Sequence, residues 1–444
     1  MEENNKSLIS VNISLAKIEK QIAIGEKILG LRITNQELKK IKDLLIFLGS
    51  KNNFSINLLS HFYSFNIETI DKNINNFDWS FLSNNNNINW SAQLIDKYKD
   101  KWCWDINSKL CNYGKKVKVR GYIIDNSNIK SISTNESIKW TLDDIEKFKN
   151  YINWPGFSST VKLDWTEEII DKFKFDFLGL SSNESFECPE HIMNKYFKLK
   201  NLSFWNLSKN PSVDWNIERI KKKIDQIGFS YLFRNEGIDW TDSLLKEVLE
   251  LYENFLPEED KKESIKMAWK YFSTNKSFQW SEEFIEKNEM KLSWGHHWAN
   301  PELSLSNNEG LAWNENFIEK YLEKWSWFYL SKNSKLPWSE NFINKYIDNW
   351  EWDNLSENQG LPWSEKFIDE HIEKWNWKKL SQNPKLPWSL GFFEKYFDKW
   401  DFNILLFNKG FYEIFRSSLD DKLVNEIIFE IINKKTHYSK LDLI

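Results

Sequence analysis

A tryptophan-led phrase recurs every 25 residues along most of this chain, and it constrains the fold more than any other feature. Between residues 336 and 358 it reads LPWSENFINKYIDNWEWDNLSEN, and four consecutive copies are led by Trp313, Trp338, Trp363 and Trp388. A fixed period of this size is typical of a stacked array in which each small unit contacts its neighbours. The 444 residues can therefore form one array, which grows in a single dimension and need not divide into several compact domains.

Weaker copies extend the array toward both ends of the chain. Intervals of 40 residues after Trp240 and 33 residues after Trp280 indicate insertions of 15 and 8 residues. We expect an array over residues 54–444, interrupted near residues 105–130, 254–268 and 291–305, and a separate N-terminal segment over residues 1–53. We place about fourteen copies, although the one at Lys115 keeps only the spacing, and their leading residues are Phe65, Trp90, Lys115, Trp140, Trp165, Cys188, Trp215, Trp240, Trp280, Trp313, Trp338, Trp363, Trp388 and Glu413.

Each copy carries the pattern of a helix followed by a shorter helix. Ser339 is a good N-cap residue, and the apolar side chains after it fall on one stripe of a helix of about three turns. A short second helix is expected near Trp352, and Pro362 ends the unit. The sequence therefore predicts an all-α fold, an α-solenoid with an N-terminal helical cap. With layers about 8–10 Å apart, the array would trace an arc of roughly 110–140 Å. A β-solenoid is the alternative, but strict alternation and Gly-rich corners are missing.

Two polar columns repeat with the helices. An Asn stands five residues before the leading position in eleven copies, and we expect its amide to satisfy loop backbone groups in a ladder, with Asn accepting a left-handed conformation. A Lys stands seven residues after the leading position in ten copies. Acids four residues earlier, as in Asp143–Lys147, Glu168–Lys172 and Glu283–Lys287, favour a solvated, salt-bridged face over a track for a polyanion.

The N-terminal segment lacks the tryptophan phrase. Residues 11–29 follow a heptad-like spacing of apolar side chains, and a second helix is expected after Thr34 with Leu38, Ile41, Leu44, Leu45 and Leu48 on its apolar side. The segment is either a helical hairpin that caps the first repeat or a docking or oligomerisation helix.

Bulk composition excludes several classes of protein. The net charge of −5 argues against a general nucleic-acid binder. The three cysteines have no metal-binding spacing and cannot all pair, which favours a reducing compartment. Neither a signal peptide nor an apolar stretch long enough to cross a membrane is present, so we expect a cytoplasmic protein with no membrane partner.

The search for catalytic motifs finds none. The chain has no phosphate-binding Gly-rich loop, no nucleophile elbow and no metal-binding helix motif, so we expect no enzyme activity, no cofactor and no metal. Two tracts are candidate binding sites because they interrupt the array. The first contains Trp294, His296, His297 and Trp298, where Trp298 is out of phase with the core. The second contains Lys115, Lys116, Lys118 and Arg120, whose four cations could contact phosphate or an acidic partner. The alternation of Val117, Val119 and Tyr122 with these cations predicts a short β-ribbon there.

The repeated tryptophan pairs 325/327, 350/352 and 375/377 are predicted to be core, because repetition in every unit is what packing demands. The phrase from Leu336 to Asn358 resembles the Trp-rich repeats of uncharacterised proteins from AT-rich microbes and large viruses. The resemblance covers about four fifths of the chain and implies a repeat scaffold, without catalytic residues.

A long solenoid offers an extended surface for a protein or peptide, so the first functional hypothesis is a non-catalytic scaffold. It would be an adaptor or sensor subunit of a microbial complex, for example in defence or host interaction. The alternative is a module that binds glycan or nucleic acid through exposed Trp and the Lys column. A third possibility is an enzyme whose site is shared by distant copies.

Overall fold

A computed structural model describes residues 35–50, 53–105, 118–119, 122–123, 131–200, 202–295 and 303–441. The chain divides into two compact units, one formed by residues 1–56 together with 415–444 and the other by residues 57–414. The predicted boundary at residue 53 lies close to the first division. The last thirty residues, which we had placed in the array, fall in the unit of the N-terminal segment.

Regular structure in the described ranges is helical apart from one small ribbon, which confirms the all-α prediction. The strands are β1 Lys118–Val119 and β2 Tyr122–Ile123, and they pair antiparallel as the predicted ribbon. Short 3₁₀ helices span Ile132–Thr134, Leu305–Asn307, Leu322–Lys324 and Phe397–Lys399. The α-helices are α1 Asn35–Ser50, α2 Phe54–Phe62, α3 Ile67–Lys72, α4 Trp79–Ser83, α5 Ala92–Lys97, α6 Leu142–Phe148, α7 Trp154–Thr160, α8 Glu167–Lys172, α9 Phe177–Ser181, α10 Glu190–Lys200, α11 Phe204–Lys209, α12 Ile217–Lys222, α13 Phe229–Leu232, α14 Asp242–Phe255, α15 Glu258–Phe272, α16 Glu282–Asn288, α17 Glu315–Lys320, α18 Trp327–Leu330, α19 Glu340–Lys345, α20 Trp352–Glu357, α21 Glu365–Glu370, α22 Trp377–Leu380, α23 Leu390–Lys395, α24 Phe402–Leu405, α25 Lys409–Arg416 and α26 Asp421–Leu441.

The first helix of each copy is shorter than predicted. In the copy led by Trp338, Ser339 caps α19 as expected, since its hydroxyl accepts from the amide of Phe342 at 3.0 Å. The helix then ends after six residues, because Tyr346 leaves the helical region with φ −120° and ψ 30°. The indole N–H of Trp350 donates to the carbonyl of Ile343 at 3.0 Å, and so satisfies a helix-end acceptor. The buried tryptophan at the corner therefore stabilises a short helix and a sharp turn.

The Asn column forms the predicted ladder between copies. Asn358 donates through Nδ2 to the carbonyls of Ser331 at 2.9 Å and Asn333 at 3.2 Å, and its Oδ1 accepts from the amide of Gly360 at 2.8 Å. Its backbone is extended, with φ −70° and ψ 121°, so the left-handed conformation that we expected is wrong for this residue. The amide ladder itself is confirmed, since Nδ2 donates to carbonyls of the preceding copy in Asn85, Asn135, Asn183, Asn210, Asn235, Asn275, Asn308, Asn333, Asn358, Asn383 and Asn408.

A second ladder, of serines, was not predicted. The hydroxyl of Ser331, two residues before Asn333, accepts from the backbone amide of Glu351, which begins the short helix of the next copy. The same bond from a buried serine to the next copy is made by Ser83, Ser133, Ser158, Ser181, Ser208, Ser273, Ser306, Ser356 and Ser381. Consecutive copies are therefore joined by side chain–backbone bonds on both sides of each short helix, and these satisfy polar groups that stacking would otherwise bury unpaired.

The Asn ladder passes over the predicted copy at Lys115, whose leading residue lies outside the described residues. Asn135 donates to the carbonyls of Ser83 at 2.9 Å and Asn85 at 3.3 Å, which are 52 and 50 residues earlier instead of about one period. The amide of Ile132 likewise donates to the carbonyl of Cys103 at 2.7 Å. The ladder thus continues directly from the copy led by Trp90 to the copy led by Trp140. The 25-residue spacing alone does not identify a copy when the Asn side chain that bonds to the neighbouring copy is missing.

The first and last copies of the 57–414 unit are in contact, so its array closes on itself. Phe407 packs against His61 and Phe81 with ring centroids 5.4 and 5.7 Å apart, and Phe62 stacks on Tyr412 at 5.1 Å. The sequence predicted an arc of roughly 110–140 Å, and it did not predict this contact between the first and last copies. The small rotation between successive layers accumulates over the array until its two ends meet.

The closing contact predicts acid sensitivity. Burial lowers the pKa of His61 from 6.5 to about 4. The folded state then binds fewer protons than the unfolded state between these values, so the contribution of His61 is complete above pH 6.5 and is lost as the pH falls toward 4. We expect this residue alone to lower the free energy of unfolding by about 2 kcal/mol between pH 7 and pH 5.

Urea denaturation at both pH values tests this effect of His61. The His61→Phe variant should lose about 2 kcal/mol less than the wild type over this interval. The matched control, His191→Phe, changes a histidine whose side chain is 65% exposed and should behave as the wild type. Equal pH dependence in the wild type and His61→Phe would contradict the assignment.

The other unit contains the predicted second helix of the N-terminal segment. Helix α1 buries Ile41, Leu45 and Leu48, as its apolar spacing predicted, and it packs on the C-terminal helix α26. Lys42 lies 3.0 Å from Glu426 across this pair. The first predicted helix, over residues 11–29, lies outside the described residues. The N-terminal and C-terminal segments therefore share a core, which a hairpin made only from residues 1–53 would not.

Candidate interaction surfaces

The first predicted binding tract is only partly described. Trp294 is buried, its indole donates to the carbonyl of Glu289 at 3.1 Å, and its ring centroid lies 4.8 Å from that of Trp325. Like Trp352, it stands fourteen residues after the leading position of its copy, so it is a core residue and its ring is not an exposed binding surface. His296, His297 and Trp298 lie outside the described residues.

The second predicted tract is also mostly outside the described ranges. Lys118 lies in strand β1, where its backbone pairs with Ile123. Lys115, Lys116 and Arg120 lie outside the described residues. The ribbon is confirmed, and phosphate or acidic-partner binding by these cations stays a prediction.

The Lys column is a salt-bridged face, as predicted, although its partners differ from those expected. Lys147 pairs with Asp96 of the preceding layer at 3.0 Å, and not with Asp143 in its own helix. The shared rule is that this Lys contacts an acid six residues after the leading position of the layer before it. The pairs that follow this rule are Lys97–Asp71, Lys147–Asp96, Lys195–Asp171, Lys320–Glu286, Lys345–Glu319 and Lys395–Asp369. Most of the column is therefore neutralised between layers.

Cysteine and metal chemistry offer little for a site. Cys188 is a free thiol whose pKa burial raises to about 12, so it is protonated at neutral pH and a poor nucleophile. Cys103 is disulfide-bonded, and the reducing compartment stays a prediction. Within the described ranges, no cluster of three or more His, Cys, Asp or Glu side chains could hold a metal ion.

Exposed apolar side chains occur where single copies depart from the repeat. Trp205 is 63% exposed and Leu178 is 60% exposed, although most of the described tryptophan and leucine side chains are partly or fully buried. Both stand five residues before the ladder Asn of their copy, and Pro155 holds the equivalent exposed place in the copy before them. Several other copies have polar residues at this position, including Asp353, Lys378 and Asn403, whereas Phe328 stands alone there in its copy with 44% of its surface exposed. We call Pro155, Leu178 and Trp205 the exposed row.

The three members of the exposed row lie on adjacent layers. A Cβ atom at Gly179 would stand 2.7 Å from the carbonyl oxygen of Pro155, which shows how closely α7 and α9 approach. Asn206, next to Trp205, donates through Nδ2 to the carbonyl of Leu178 at 3.2 Å. The Trp205 ring continues the row toward Tyr231, with centroids 6.1 Å apart. Comparing this single position across all copies would have revealed the row in the sequence.

A cleft of about 670 Å³ opens at the 15-residue insertion between α14, α15 and α16. The insertion makes α14 and α15 14 and 15 residues long, where most first helices of other copies have six or seven. Only Leu256 and Pro257 separate the two helices. Apolar lining is provided by Leu245, Leu249, Ile265, Trp269, Phe284 and Met290.

The cleft also breaks the charge rule of the Lys column. Lys246 stands where the six pairs above have an acid, and Lys287 is the column lysine of the next layer. Both line the cleft, together with Lys262, Lys266 and Lys291. The acids in the lining are Asp242, Glu250 and Glu253, so five cations and three anions give it a formal charge of +2. The chain as a whole carries −5, which makes this surface unusual.

Comparison of the chain with protein-family models, with curated proteins and with solved structures finds no match. No helix in the part of the chain that the structure describes is long and apolar enough to span a membrane.

Proposed function

We propose that this chain is a non-catalytic repeat scaffold that recognises a protein partner through the exposed row, as an adaptor or sensor subunit of a complex. The observation that carries the proposal is the exposure of Trp205 and Leu178 on adjacent layers, at a position where several other copies have polar residues and no other pair of adjacent described layers exposes apolar side chains this far. A residue repeated in every copy is explained by packing, but an exposed tryptophan confined to one layer is not. Trp is among the residues most enriched in the energetic centres of protein interfaces.

The chemistry of the exposed row favours a protein surface as its occupant. Pro155, Leu178 and Trp205 present neighbouring apolar groups without a cation of their own, and such a patch is covered well by apolar side chains of a partner. The alternative, binding of glycan or nucleic acid through exposed Trp and the Lys column, has less support. Six column lysines are engaged by acids, and repeated tryptophans such as Trp325, Trp350 and Trp375 are buried.

The double substitution Leu178→Ser/Trp205→Ser tests the proposal. We expect it to weaken binding of the native partner by at least about thirtyfold, because a central tryptophan typically contributes 2 kcal/mol or more to an interface. Stability should change little, since both side chains are mostly exposed. Tagged proteins are purified from the native cell, and co-purifying proteins are quantified by mass spectrometry beside a nucleic-acid stain.

The matched control is Asp353→Ser/Asn403→Ser, which changes exposed residues at the same position of other copies. It should retain the partner in the amount recovered with the wild type. Equal recovery with the double variant of the exposed row would contradict the proposal. Recovery of nucleic acid or glycan without a stoichiometric protein would favour the alternative.

A further inference from the structure

The cleft between α14, α15 and α16 has the dimensions of a helix-binding groove. At 1.5 Å per residue, the 14 and 15 residues of α14 and α15 extend about 21 and 22 Å. The two helices pack on each other and are joined by a short turn at Leu256 and Pro257. Their length matches a partner helix of three to four turns, which the six-residue helices of other copies could not support.

The apolar floor of the cleft is continuous along both helices. Leu245 and Leu249 are one turn apart on α14, and Ile265 and Trp269 are one turn apart on α15. Met290 stands at the rim with 93% of its surface exposed. Methionine is flexible and polarizable, and it adapts to the side chains of a bound partner. Four or five apolar contacts along the floor are what the apolar stripe of an amphipathic helix requires.

The rim of the cleft is cationic and incompletely paired. Lys246 is 3.8 Å from Glu250, and Lys266 is 3.5 Å from Glu263, both on exposed helix faces. Lys291 lies over the Trp269 ring at 5.1 Å from its centroid. Neither Lys262 nor Lys287 has an ion pair among the residues that the structure describes. At six equivalent layer contacts the column lysine pairs with an acid, whereas here Lys246 holds the place of the acid before Lys287.

We propose that this cleft binds an acidic amphipathic helix of a protein partner. The helix lays its apolar stripe on Leu249, Ile265 and Trp269, and its carboxylates face the rim lysines. Charge complementarity selects the occupant, since the lining carries +2 on a chain of net charge −5. The inference rests on the proposed function in that both concern protein recognition, but it assigns a second surface with a different chemistry from the exposed row.

Fluorescence anisotropy with the full chain tests the proposal. The probe is a fluorescein-labelled 14-residue peptide with Leu or Phe at i, i+3, i+4, i+7 and i+11 and mainly Glu elsewhere. We expect saturable binding that weakens as salt is raised, because the carboxylate–lysine contacts are exposed to solvent. The same peptide with every Glu replaced by Lys, and a scrambled peptide of equal charge, should each bind at least tenfold more weakly.

The substitution Lys262→Glu/Lys287→Glu should weaken binding of the acidic peptide at least tenfold. The matched control, Lys209→Glu/Lys385→Glu, makes the same charge change at exposed lysines outside the cleft. It includes the general effect of the lower net charge on peptide binding, and its affinity should stay within about twofold of the wild type. Circular dichroism and urea unfolding establish that both variants are folded.

Three outcomes would overturn the inference: no saturable binding below about 1 mM, equal binding of the scrambled peptide, or equal weakening by both charge reversals. The variant Leu178→Ser/Trp205→Ser separates the two proposals, because it should bind the peptide as the wild type does. If that variant loses the native partner and the acidic peptide shows no saturable binding to the wild type, the proposed function stands and the cleft assignment is overturned.

Discussion

Replacement of Trp350 by alanine is expected to lower the free energy of unfolding by about 4 kcal/mol, the largest effect of any single substitution considered for this chain. The Trp350 side chain is 5% exposed, and its ring centroid lies 4.7 Å from that of Trp327 in the preceding layer and 4.9 Å from that of Trp338. Truncation leaves a cavity at the point where two layers meet. It also removes the indole N–H that satisfies the Ile343 carbonyl at 3.0 Å.

Urea denaturation measures the effect, and Trp205→Ala is its matched control. The same side chain is removed there from a position that is 63% exposed, so the expected loss is within about 0.5 kcal/mol. The loss of unfolding free energy in Trp350→Phe should lie between those of Trp350→Ala and Trp205→Ala, because phenylalanine keeps most of the apolar volume but cannot make the hydrogen bond. Similar losses in Trp350→Ala and Trp205→Ala would contradict the assignment of the repeated tryptophans to packing.

Replacement of Asn358 by alanine is expected to cost about 3 kcal/mol. The Asn358 amide is buried and makes three bonds, to the carbonyls of Ser331 and Asn333 and from the amide of Gly360. Alanine leaves the Gly360 amide and the Ser331 carbonyl without these partners inside the stack. Each buried polar group deprived of its partner costs about 1–3 kcal/mol.

Two further substitutions separate the parts of the Asn358 effect. Asn358→Asp keeps the oxygen that accepts from Gly360 and removes both donors, so it should be at least as destabilising, because a buried carboxylate would face two carbonyls. Asn341→Ala, at an exposed position in α19, should change stability by less than about 0.5 kcal/mol. A loss below 1 kcal/mol in Asn358→Ala would show that the amide ladder does not hold the layers together.

The repeat period was enough to predict the helical stack, because each copy must present the same faces to both neighbours. The Asn ladder was predictable for the same reason, since its residue recurs with the period. The length of the first helix was not, because the Trp350 indole takes the carbonyl of Ile343 and lets the chain turn after Lys345. The contact between Phe62 and Tyr412 was also hidden, since curvature per layer is a small rotation that no local pattern encodes.

The exposed row differs from the predicted binding tracts because it is a departure within the repeat and not an unusual tract that interrupts it. Trp294 stood out beside two histidines, yet its place fourteen residues after a leading tryptophan marks it as core. Pro155, Leu178 and Trp205 are apolar in three consecutive copies at a position where several other copies have polar residues, and that comparison needs no structure. The cleft was partly predictable from Lys246, which holds the place of an acid in the Lys column. Its shape depends on how α14 and α15 pack, which the sequence alone did not provide.

The most direct test of the account is site-specific photo-crosslinking in the native cell. A photoreactive amino acid at Ser182, whose hydroxyl lies 3.5 Å from the Leu178 carbonyl, leaves the exposed row intact. The same group at Asn403 serves as the control on an equivalent helix of another copy. The account predicts one protein crosslinked from position 182 and absent from position 403, and lost when Leu178→Ser/Trp205→Ser is added. The same products from both positions, or a product at 182 that survives these substitutions, would contradict recognition through the exposed row.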